Sequence, residues 1–546
     1  MTRQPWGEID RLVALADTLA GAWARRAAAS TTLGRERAVL RLCGVSGLDR
    51  AGRPLAAEVV ERYVGSRADR LGSGLLLPFA MALLEYDVGP QDLALDVASG
   101  AVDLALEADL LQDRDRRTAA EHEAARLAAS ATERIDANRT ARRELLDLLG
   151  DSPQPWFGVT LAEAEVERAR GEAVALIDAG ADLVRVVVPA GRELTARAEA
   201  DVHDAPDPRT SGTAGHPGSP SGAAPYRRGA MSRQRPTIEG APAGSQRGLG
   251  ELRHAIDESG AQRRRYVRLA TVGPALAAPE QAVVAGFERI DVVELDPMAE
   301  VVDEGVDPDR ALADHAFATR LLRRSGAQVI IGPGPLVVAP DLARGLPSDS
   351  ATRAGRGIAL QLLGVALALR HGLSVEQILV GALPPWISDE RDPTVQAIAQ
   401  VALRRALFPG HALTFDEPAM SVAAEGWPFV FAAAVPRSEP TAIVLRRAER
   451  DRVRQVGEAT RAAARVGREV GAALGPRVLH GPSLEHARAA VDAAGALLRG
   501  LADEGWRTVI GTPIDDAEGA RRTWDTVVER SDEFDPFAMD EPVAGR

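Results

Sequence analysis

Eight short apolar runs alternate with stretches of helical pattern between residues 155 and 436. The runs are 157–161, 183–188, 266–272, 290–295, 328–331, 377–380, 413–415 and 428–434. Such alternation of strands with helices is typical of βα units that build a parallel sheet. Eight units, over roughly the 250 residues of the fold plus an insertion, predict an α/β protein with a (β/α)8 TIM barrel. A doubly wound open sheet is the alternative architecture.

Helical patterns flank the predicted barrel on both sides. Residues 1–150 are expected to form a helical N-terminal region, because alanine, leucine and charged residues recur there with helical periodicity. Residues 151–440 form the predicted TIM-barrel domain, and residues 441–546 a helical C-terminal region that ends in a tail. Residues 196–244 are rich in Gly, Pro, Ser and Thr, so we expect them to be a disordered insertion on the second βα connection.

The chain contains no lysine, since all 65 residues of the Lys+Arg count are arginine. Pyridoxal phosphate enzymes hold their cofactor as a Schiff base on a lysine amine, and phosphate-loop NTPases need a lysine on the nucleotide phosphates. The chain by itself can perform neither role.

Charge and cysteine content exclude further classes of protein. The net charge is -13, and basic and acidic residues are interleaved, so no basic face is expected to bind nucleic acid. The single cysteine, Cys43, rules out an intramolecular disulfide and a cysteine metal cluster, which fits a reducing cytoplasm. No apolar run approaches the ~20 residues of a membrane span. We therefore expect a cytoplasmic protein without membrane contact.

Acidic residues follow two of the predicted strands, at the barrel end where TIM-barrel enzymes place their active sites. They are Glu294 and Asp296 at the end of the fourth run and Asp416 and Glu417 after the seventh. Converging carboxylates could bind a hard cation or a substrate amine. The alternative is that these residues cap helices or face solvent. The histidines show no HxH or HExxH spacing, so they predict no metal site.

Several blocks of sequence resemble, in matching order, the α subunit of lysine 5,6-aminomutase. The N-terminal blocks are Thr31-Thr32, Glu36-Arg37-Ala38-Val39, Arg41-Leu42 and Gly44-Val45-x-Gly47. The later ones are Gly180-Ala181-Asp182, Glu239-Gly240, Tyr266-x-Arg268-Leu269, Pro279-Glu280, Glu288-Arg289-Ile290-Asp291-Val292, Phe408-Pro409 and Asp535-Pro536-Phe537. The resemblance spans most of the chain, and the family fold, a barrel with flanking helical regions, agrees with the strand count.

The resemblance implies an isomerase subunit of lysine degradation, working in a hetero-oligomer. The family reaction is an adenosylcobalamin- and pyridoxal phosphate-dependent 1,2-amino migration on lysine or β-lysine. In the family, a separate β subunit carries the lysine that binds pyridoxal and the Asp-x-His-x-x-Gly cobalamin motif. The expected partners are therefore a cobalamin-binding β-like subunit and a small amino acid. Both cofactors are expected on that partner, which accommodates a chain without lysine.

The resemblance also indicates that the family's contacts to pyridoxal phosphate and substrate are replaced. The aligned positions carry Val188, Glu193, Pro274, Ala299, Glu304, Pro335 and Thr414. Glutamate in place of an arginine repels a phosphate group. Direct binding of pyridoxal phosphate is therefore not expected, although Arg192 and Arg268 are candidate cofactor-binding residues.

Three hypotheses follow from the sequence. The chain is a working aminomutase α subunit, a non-catalytic barrel paralogue that acts as a scaffold or regulatory partner, or a different barrel enzyme that uses the carboxylate cluster to bind a metal or an amine. In the third hypothesis Glu294, Asp296, Asp416 and Glu417 contact the substrate.

Overall fold

The computed structural model describes residues 8–49, 53–65, 67–161, 165–187, 245–273, 276–303, 306–332, 349–383, 393–416, 442–446, 452–474, 481–506, 527–531 and 534–537. The predicted disordered insertion at 196–244 lies outside these residues.

Eight parallel strands close into a barrel in sequence order, which confirms the predicted TIM barrel and excludes the open sheet. The strands are β2 (Trp156–Thr160), β3 (Leu183–Val187), β4 (Arg268–Val272), β5 (Val292–Glu294), β6 (Gln328–Ile331), β7 (Ile378–Gly381), β8 (Ala412–Asp416) and β9 (Ala442–Arg446). Closure comes from the pairing of β9 with both β8 and β2.

The eighth barrel strand differs from the prediction. It is Ala442–Arg446, whereas the predicted run at 428–434 lies outside the described residues. The barrel thus extends past residue 440, where the sequence analysis placed its end. Both runs are apolar, and only the long-range pairing of β9 with β2 distinguishes the strand that closes the ring.

Helices surround the barrel and extend it on one side. They are α1 (Ile9–Ala28), α2 (Leu33–Leu42), α3 (Leu55–Val64), α4 (Leu76–Tyr86), α5 (Pro90–Ser99), α6 (Leu104–Leu110), α7 (Arg114–Leu149), α8 (Val166–Ala179), α9 (Gln246–Arg263), α10 (Ala278–Phe287), α11 (Pro297–Asp303), α12 (Pro308–Ser325), α13 (Ser350–Arg370), α14 (Pro393–Leu407), α15 (Val453–Leu474) and α16 (Pro482–Asp503). The N-terminal and C-terminal helices join at the outer layer, where α13 packs against α1 and α16.

Local sequence signals set the limits of the helices. The carboxylate of Asp113 accepts hydrogen bonds from the backbone N–H groups of Asp115 and Arg116, which starts the 36-residue helix α7. Asp307 caps α12 in the same way, and Gly326 ends that helix with a left-handed φ of 72°. Such caps satisfy backbone groups that would otherwise lose their hydrogen bonds at the helix ends.

A separate apolar cluster fills the inside of the barrel. It contains Trp156, Leu183, Ala270, Val292, Ile330, Leu379 and Ala412, one residue from each of the strands β2 to β8. Because side chains alternate between the two faces of a strand, these residues identify which positions point inward. The barrel is therefore packed through its middle and is not a pore.

The N-terminal end of the barrel, here called the floor, is closed by Arg268 and Trp156. The guanidinium of Arg268 lies 3.4 Å from the centroid of the Trp156 ring and pairs with Asp151 at 2.6 Å. Stacking of arginine on an aromatic face combines apolar contact with cation–π attraction. Arg268 is the first residue of β4, so it lies at the barrel end opposite the strand C-termini.

Asp291, one residue before β5, anchors helices α7 and α9 to the floor. Its carboxylate accepts hydrogen bonds from Arg142 at 2.9 Å, Arg253 at 2.8 Å and the Tyr266 hydroxyl at 2.6 Å. It also accepts one from the backbone N–H of Leu269 at 2.9 Å. Burial alone would raise the pKa of Asp291, but the two arginines and these hydrogen bonds hold that pKa below its usual range.

The C-terminal residues return to the N-terminal region. Strand β10 (Val527–Glu529) pairs antiparallel with β1 (Ser30–Thr32). Asp535 forms ion pairs with Arg35 and Arg530, and the Phe537 side chain is buried. A tail was predicted for the end of the C-terminal region, but residues 534–537 pack against the body of the protein. The contact between Arg35 and Asp535, which are 500 residues apart in the sequence, helps to hold them there.

No helix within the described residues is both long and apolar enough to cross a membrane.

We predict that Asp291→Ala lowers the free energy of unfolding by about 3–5 kcal/mol, because it removes the carboxylate that the buried guanidinium groups of Arg142 and Arg253 share. Chemical denaturation followed by circular dichroism measures the change. The matched control is Glu167→Ala, which removes an exposed partner of Arg170 and should change stability by less than about 0.5 kcal/mol. Equal effects of the two substitutions would contradict the assigned role of Asp291.

Candidate active site at the barrel mouth

The mouth of the barrel is the end at which the parallel strands terminate. Every second residue of a strand points inward, so residues two or four positions after a member of the apolar cluster also point inward and lie nearer this end. These residues are Thr160 of β2, Arg185 of β3, Glu294 of β5 and Thr414 of β8. Active sites of TIM-barrel enzymes are built at this end. These four residues therefore define the candidate site.

Arg185 and Glu294 carry opposite charges within the candidate site. The Arg185 Nη1 and Glu294 Oε2 atoms are 3.8 Å apart, and the two side chains are 13% and 34% exposed. Nε of Arg185 donates a hydrogen bond to Thr160 Oγ1 at 2.9 Å, which fixes the orientation of the guanidinium. The pair is close enough for electrostatic attraction but too far apart for a hydrogen bond between these two atoms.

Arg185 was not predicted as a site residue from the sequence. It lies within the apolar run Leu-Val-Arg-Val-Val at 183–187, whereas the predicted carboxylates lie at strand ends or beyond them. The sequence does contain the information, since Arg185 lies two residues after the inward-pointing Leu183 and must therefore also point into the barrel once β3 is recognised as a strand.

Two buried polar side chains hold the ends of β6 and β7 from outside the barrel. Gln361 of α13 donates hydrogen bonds to the carbonyl oxygens of Gly332 at 2.6 Å and Gly381 at 2.9 Å. Arg404 of α14 also donates to the Gly381 carbonyl, at 2.9 Å, and burial lowers its pKa to about 9. These bonds fix the backbone on which the mouth is built.

Asp296 caps helix α11. Its Oδ1 accepts hydrogen bonds from the backbone N–H groups of Met298 at 3.0 Å and Ala299 at 3.2 Å. A Cβ atom on Gly332 would lie 3.0 Å from the other carboxylate oxygen, so β6 closely covers this group. Burial raises the pKa of Asp296 to about 6, against the lowering effect of the two N–H groups and His315. The capping alternative considered from the sequence thus describes Asp296.

The other predicted site residues are dispersed. Glu294 lies in the mouth, whereas Arg268 lies on the floor with its guanidinium against Trp156 and Asp151. Asp416 ends β8, three strands away from β5, and its side chain lies outside the described part of the chain. Arg192 and Glu417 also lie outside it. Only Glu294 is therefore seen to point into the mouth.

Two of the positions that align with the family's contacts to cofactor and substrate lie within the described residues. Ala299 lies on α11, and Thr414 is a buried residue of β8. Val188, Glu193, Pro274, Glu304 and Pro335 lie outside the described residues. Across the residues that the structure describes, no group of three or more His, Cys, Asp or Glu side chains is placed to hold a metal ion.

In the wild-type protein, we expect the free energy of unfolding to decrease as the pH rises from about 4 to about 6. We predict that Asp296→Asn abolishes this decrease. The folded protein holds the Asp296 proton more tightly than the unfolded chain, so this group favours folding less as the pH rises through that window. Asparagine caps a helix as well as aspartate but does not titrate. Above pH 7 the variant should be up to ~3 kcal/mol more stable than the wild type.

Urea denaturation at pH 4.5 and at pH 7.5 measures this difference. Asp103→Asn is the matched control, because Asp103 caps α6 at an exposed position. The interpretation of Asp296 is wrong if both variants follow the wild-type dependence on pH.

Comparisons with known proteins place the chain in a family. Residues 5–197 and 239–426 match a family model described as the D-lysine 5,6-aminomutase TIM-barrel domain of alpha subunit. The chain is 24% identical over 390 residues to the lysine 5,6-aminomutase alpha subunit of Acetoanaerobium sticklandii. It is 25% identical over 393 residues to the protein of the same name from Fusobacterium nucleatum. Each alignment covers 71% of this chain and 66% of the relative, just under two thirds of its length.

Solved structures give a weaker likeness. Dihydropteroate synthase from Anaplasma phagocytophilum is 14% identical, with a TM-score of 0.32 over 57% of this chain and 98% of that one. The family model, in contrast, matches well over half of the chain. The chain belongs to the family of the TIM-barrel domain of the D-lysine 5,6-aminomutase alpha subunit.

Proposed function

We propose that this chain is the barrel subunit of a two-subunit complex of the lysine 5,6-aminomutase type. A separate β subunit carries adenosylcobalamin and pyridoxal phosphate, and the barrel mouth of this chain receives a small amino acid. The proposal rests on family membership, and on a chain without lysine whose described mouth has a single cation already paired with Glu294. Its location in the cytoplasm stays a prediction from the sequence.

The described mouth residues do not fit a pyridoxal phosphate group. A Schiff base needs a lysine amine, which the sequence lacks. A phosphate needs cations or several N–H donors, and among the described mouth residues Arg185 is the one cation, with Glu294 at 3.8 Å. A phosphate dianion brought to Arg185 would also meet the Glu294 carboxylate. We propose that the β subunit supplies the contacts to the cofactor phosphate.

A second candidate function is a non-catalytic barrel that acts as a scaffold or regulatory partner of a cobalamin subunit. The same observation favours it, because the mouth as described neutralises its own cation. Loss of the family's contacts at scattered positions, such as Thr414 in place of a lysine that binds the substrate carboxylate, points in the same direction. The two candidates share the same partner and differ in turnover.

The chain's own mouth residues position the substrate in the first candidate. Glu294 attracts an ammonium group, Arg185 attracts a carboxylate, and Thr160 holds the guanidinium in place. Asp416 and Glu417 stand at the end of β8 in the sequence and are proposed as further contacts to a substrate amine. The packed core below the mouth keeps water from entering through the barrel.

Co-expression tests the proposed function. The partner is the product of a reading frame that encodes an Asp-x-His-x-x-Gly motif and a lysine for pyridoxal phosphate. We expect the two chains to co-elute in size-exclusion chromatography. The complex, loaded with both cofactors, should convert lysine or β-lysine to a product in which the terminal amine has moved to the adjacent carbon, detected by mass spectrometry.

Each subunit alone is the control for this experiment. A complex that forms and binds both cofactors but gives no turnover overturns the catalytic proposal and supports the scaffold. Failure of the two chains to associate overturns both candidates.

A further inference from the structure

A group of buried titratable side chains lies outside the barrel wall, between helices α11, α12 and α13. Asp296 precedes α11, Glu300 lies within it, His315 belongs to α12 and His371 follows α13. The two histidines line a cavity of about 10 Å³, together with apolar residues of β6, α12, α13 and the connection from β5 to α11. Such a cavity has room for about one water molecule, so bulk solvent does not hydrate charges there.

Glu300 and His315 connect α11 to α12. The Nε2 atom of the His315 ring lies 3.0 Å from Glu300 Oε1, and the two side chains are 5% and 11% exposed. Among the described residues, the other ring nitrogen and the other carboxylate oxygen have no hydrogen-bond partner. The strength of the connection between the two helices at this point therefore depends on the charges of these two groups.

The positive charge that is available to the carboxylates of this group is limited. His315 carries at most one positive charge, whereas Asp296 and Glu300 together carry up to two negative charges. His371 does not supply the difference. Burial, together with the positive charges of Arg320 and His315, lowers the pKa of His371 to about 4, so its ring is neutral at neutral pH.

Full ionisation of both carboxylates leaves an excess of negative charge. Arg310 and Asp314, also on α12, form a separate buried ion pair that adds no net charge. Burying an unbalanced charge is costly, and uptake of one proton by the carboxylates reduces that cost. Accordingly, burial and, to a smaller extent, Glu300 raise the pKa of Asp296 to about 6, although the N–H groups of α11 and the His315 ring act in the opposite direction.

We propose that Asp296, Glu300 and His315 form a proton-dependent latch that fastens α11 to α12. One proton on the carboxylates balances the charges and closes the latch. Loss of that proton as the pH rises toward neutrality leaves negative charge in excess and loosens α11. The helix directly follows β5, and Asp296 accepts hydrogen bonds from its first N–H groups, so the latch acts on a segment at the edge of the barrel mouth. It requires neither a cofactor nor a partner subunit.

Hydrogen–deuterium exchange of the full chain tests the latch, measured by mass spectrometry at pH 5 and pH 7.5 and corrected for the intrinsic exchange rate. Peptides that cover α11 should open about tenfold more readily at pH 7.5 than at pH 5. The factor follows from a pKa of Asp296 that falls from about 6 in the closed form to its ordinary value of 3.8 in the open form. Peptides that cover α6, which Asp103 caps at an exposed position, should change by less than about twofold.

Substitutions separate the latch from a general effect of pH. Asp296→Asn should open to the same extent at both pH values, because asparagine caps a helix without titrating. Glu300→Gln removes a carboxylate that favours the protonated form of Asp296, so loosening should begin at lower pH. His315→Gln removes a ring that favours the ionised form, so loosening should begin at higher pH. The matched control is His254→Gln, which removes an exposed histidine 3.1 Å from Glu258 and should leave the exchange of α11 unchanged.

The latch is refuted if the corrected exchange of α11 in the wild type does not depend on pH, or if Asp296→Asn keeps the wild-type dependence. Midpoints that move in the same direction in Glu300→Gln and His315→Gln also refute it. Should either of these two variants fold poorly, the wild type and Asp296→Asn, which keeps the helix cap, still decide the question.

Discussion

The buried carboxylate of Asp291 is the constraint on which the barrel and its mouth depend. It joins α7 through Arg142 and α9 through Arg253, and it accepts a hydrogen bond from the backbone of β4 at Leu269. Because β5 begins at the next residue, this anchor fixes the register of a strand with only three residues. Glu294 ends the same strand. The position of the mouth carboxylate is therefore set from the opposite end of the barrel.

Arginine is suited to this arrangement in a way that lysine is not. Arg142 donates to Asp291 and to the carbonyl oxygens of Ser325 and Ile290, so one planar fork connects three segments of chain. A lysine ammonium is a point charge without that fixed geometry. At the floor, the guanidinium of Arg268 lies over the ring of Trp156. Because all of its Lys and Arg residues are arginine, the chain has no lysine amine for Schiff-base chemistry. The guanidinium groups of the arginines help to hold the barrel together.

The sequence predicted the barrel well because its evidence is local. Seven of the eight predicted strands overlap strands of the barrel, since each apolar run carries its own signal. Strand β9 and the pairing of β1 with β10 were missed, because those depend on contacts between residues far apart in sequence. The site was predicted less well. Glu294 was recognised, but Asp296 caps a helix, Arg268 lies on the floor and Arg185 was hidden in an apolar run. Strand-end position alone does not determine where a side chain points.

An arginine inside a barrel loses hydration, and the protein must offset that loss with a carboxylate or a ligand. On the floor the Asp291 carboxylate provides the offset, because it accepts hydrogen bonds from both Arg142 and Arg253. In the mouth, the Arg185 guanidinium donates a hydrogen bond to Thr160 and faces the Glu294 carboxylate at 3.8 Å. Carboxylates of the chain itself therefore offset arginine charge at both ends of the barrel, so an anionic ligand that enters the mouth has to compete with an existing ion pair.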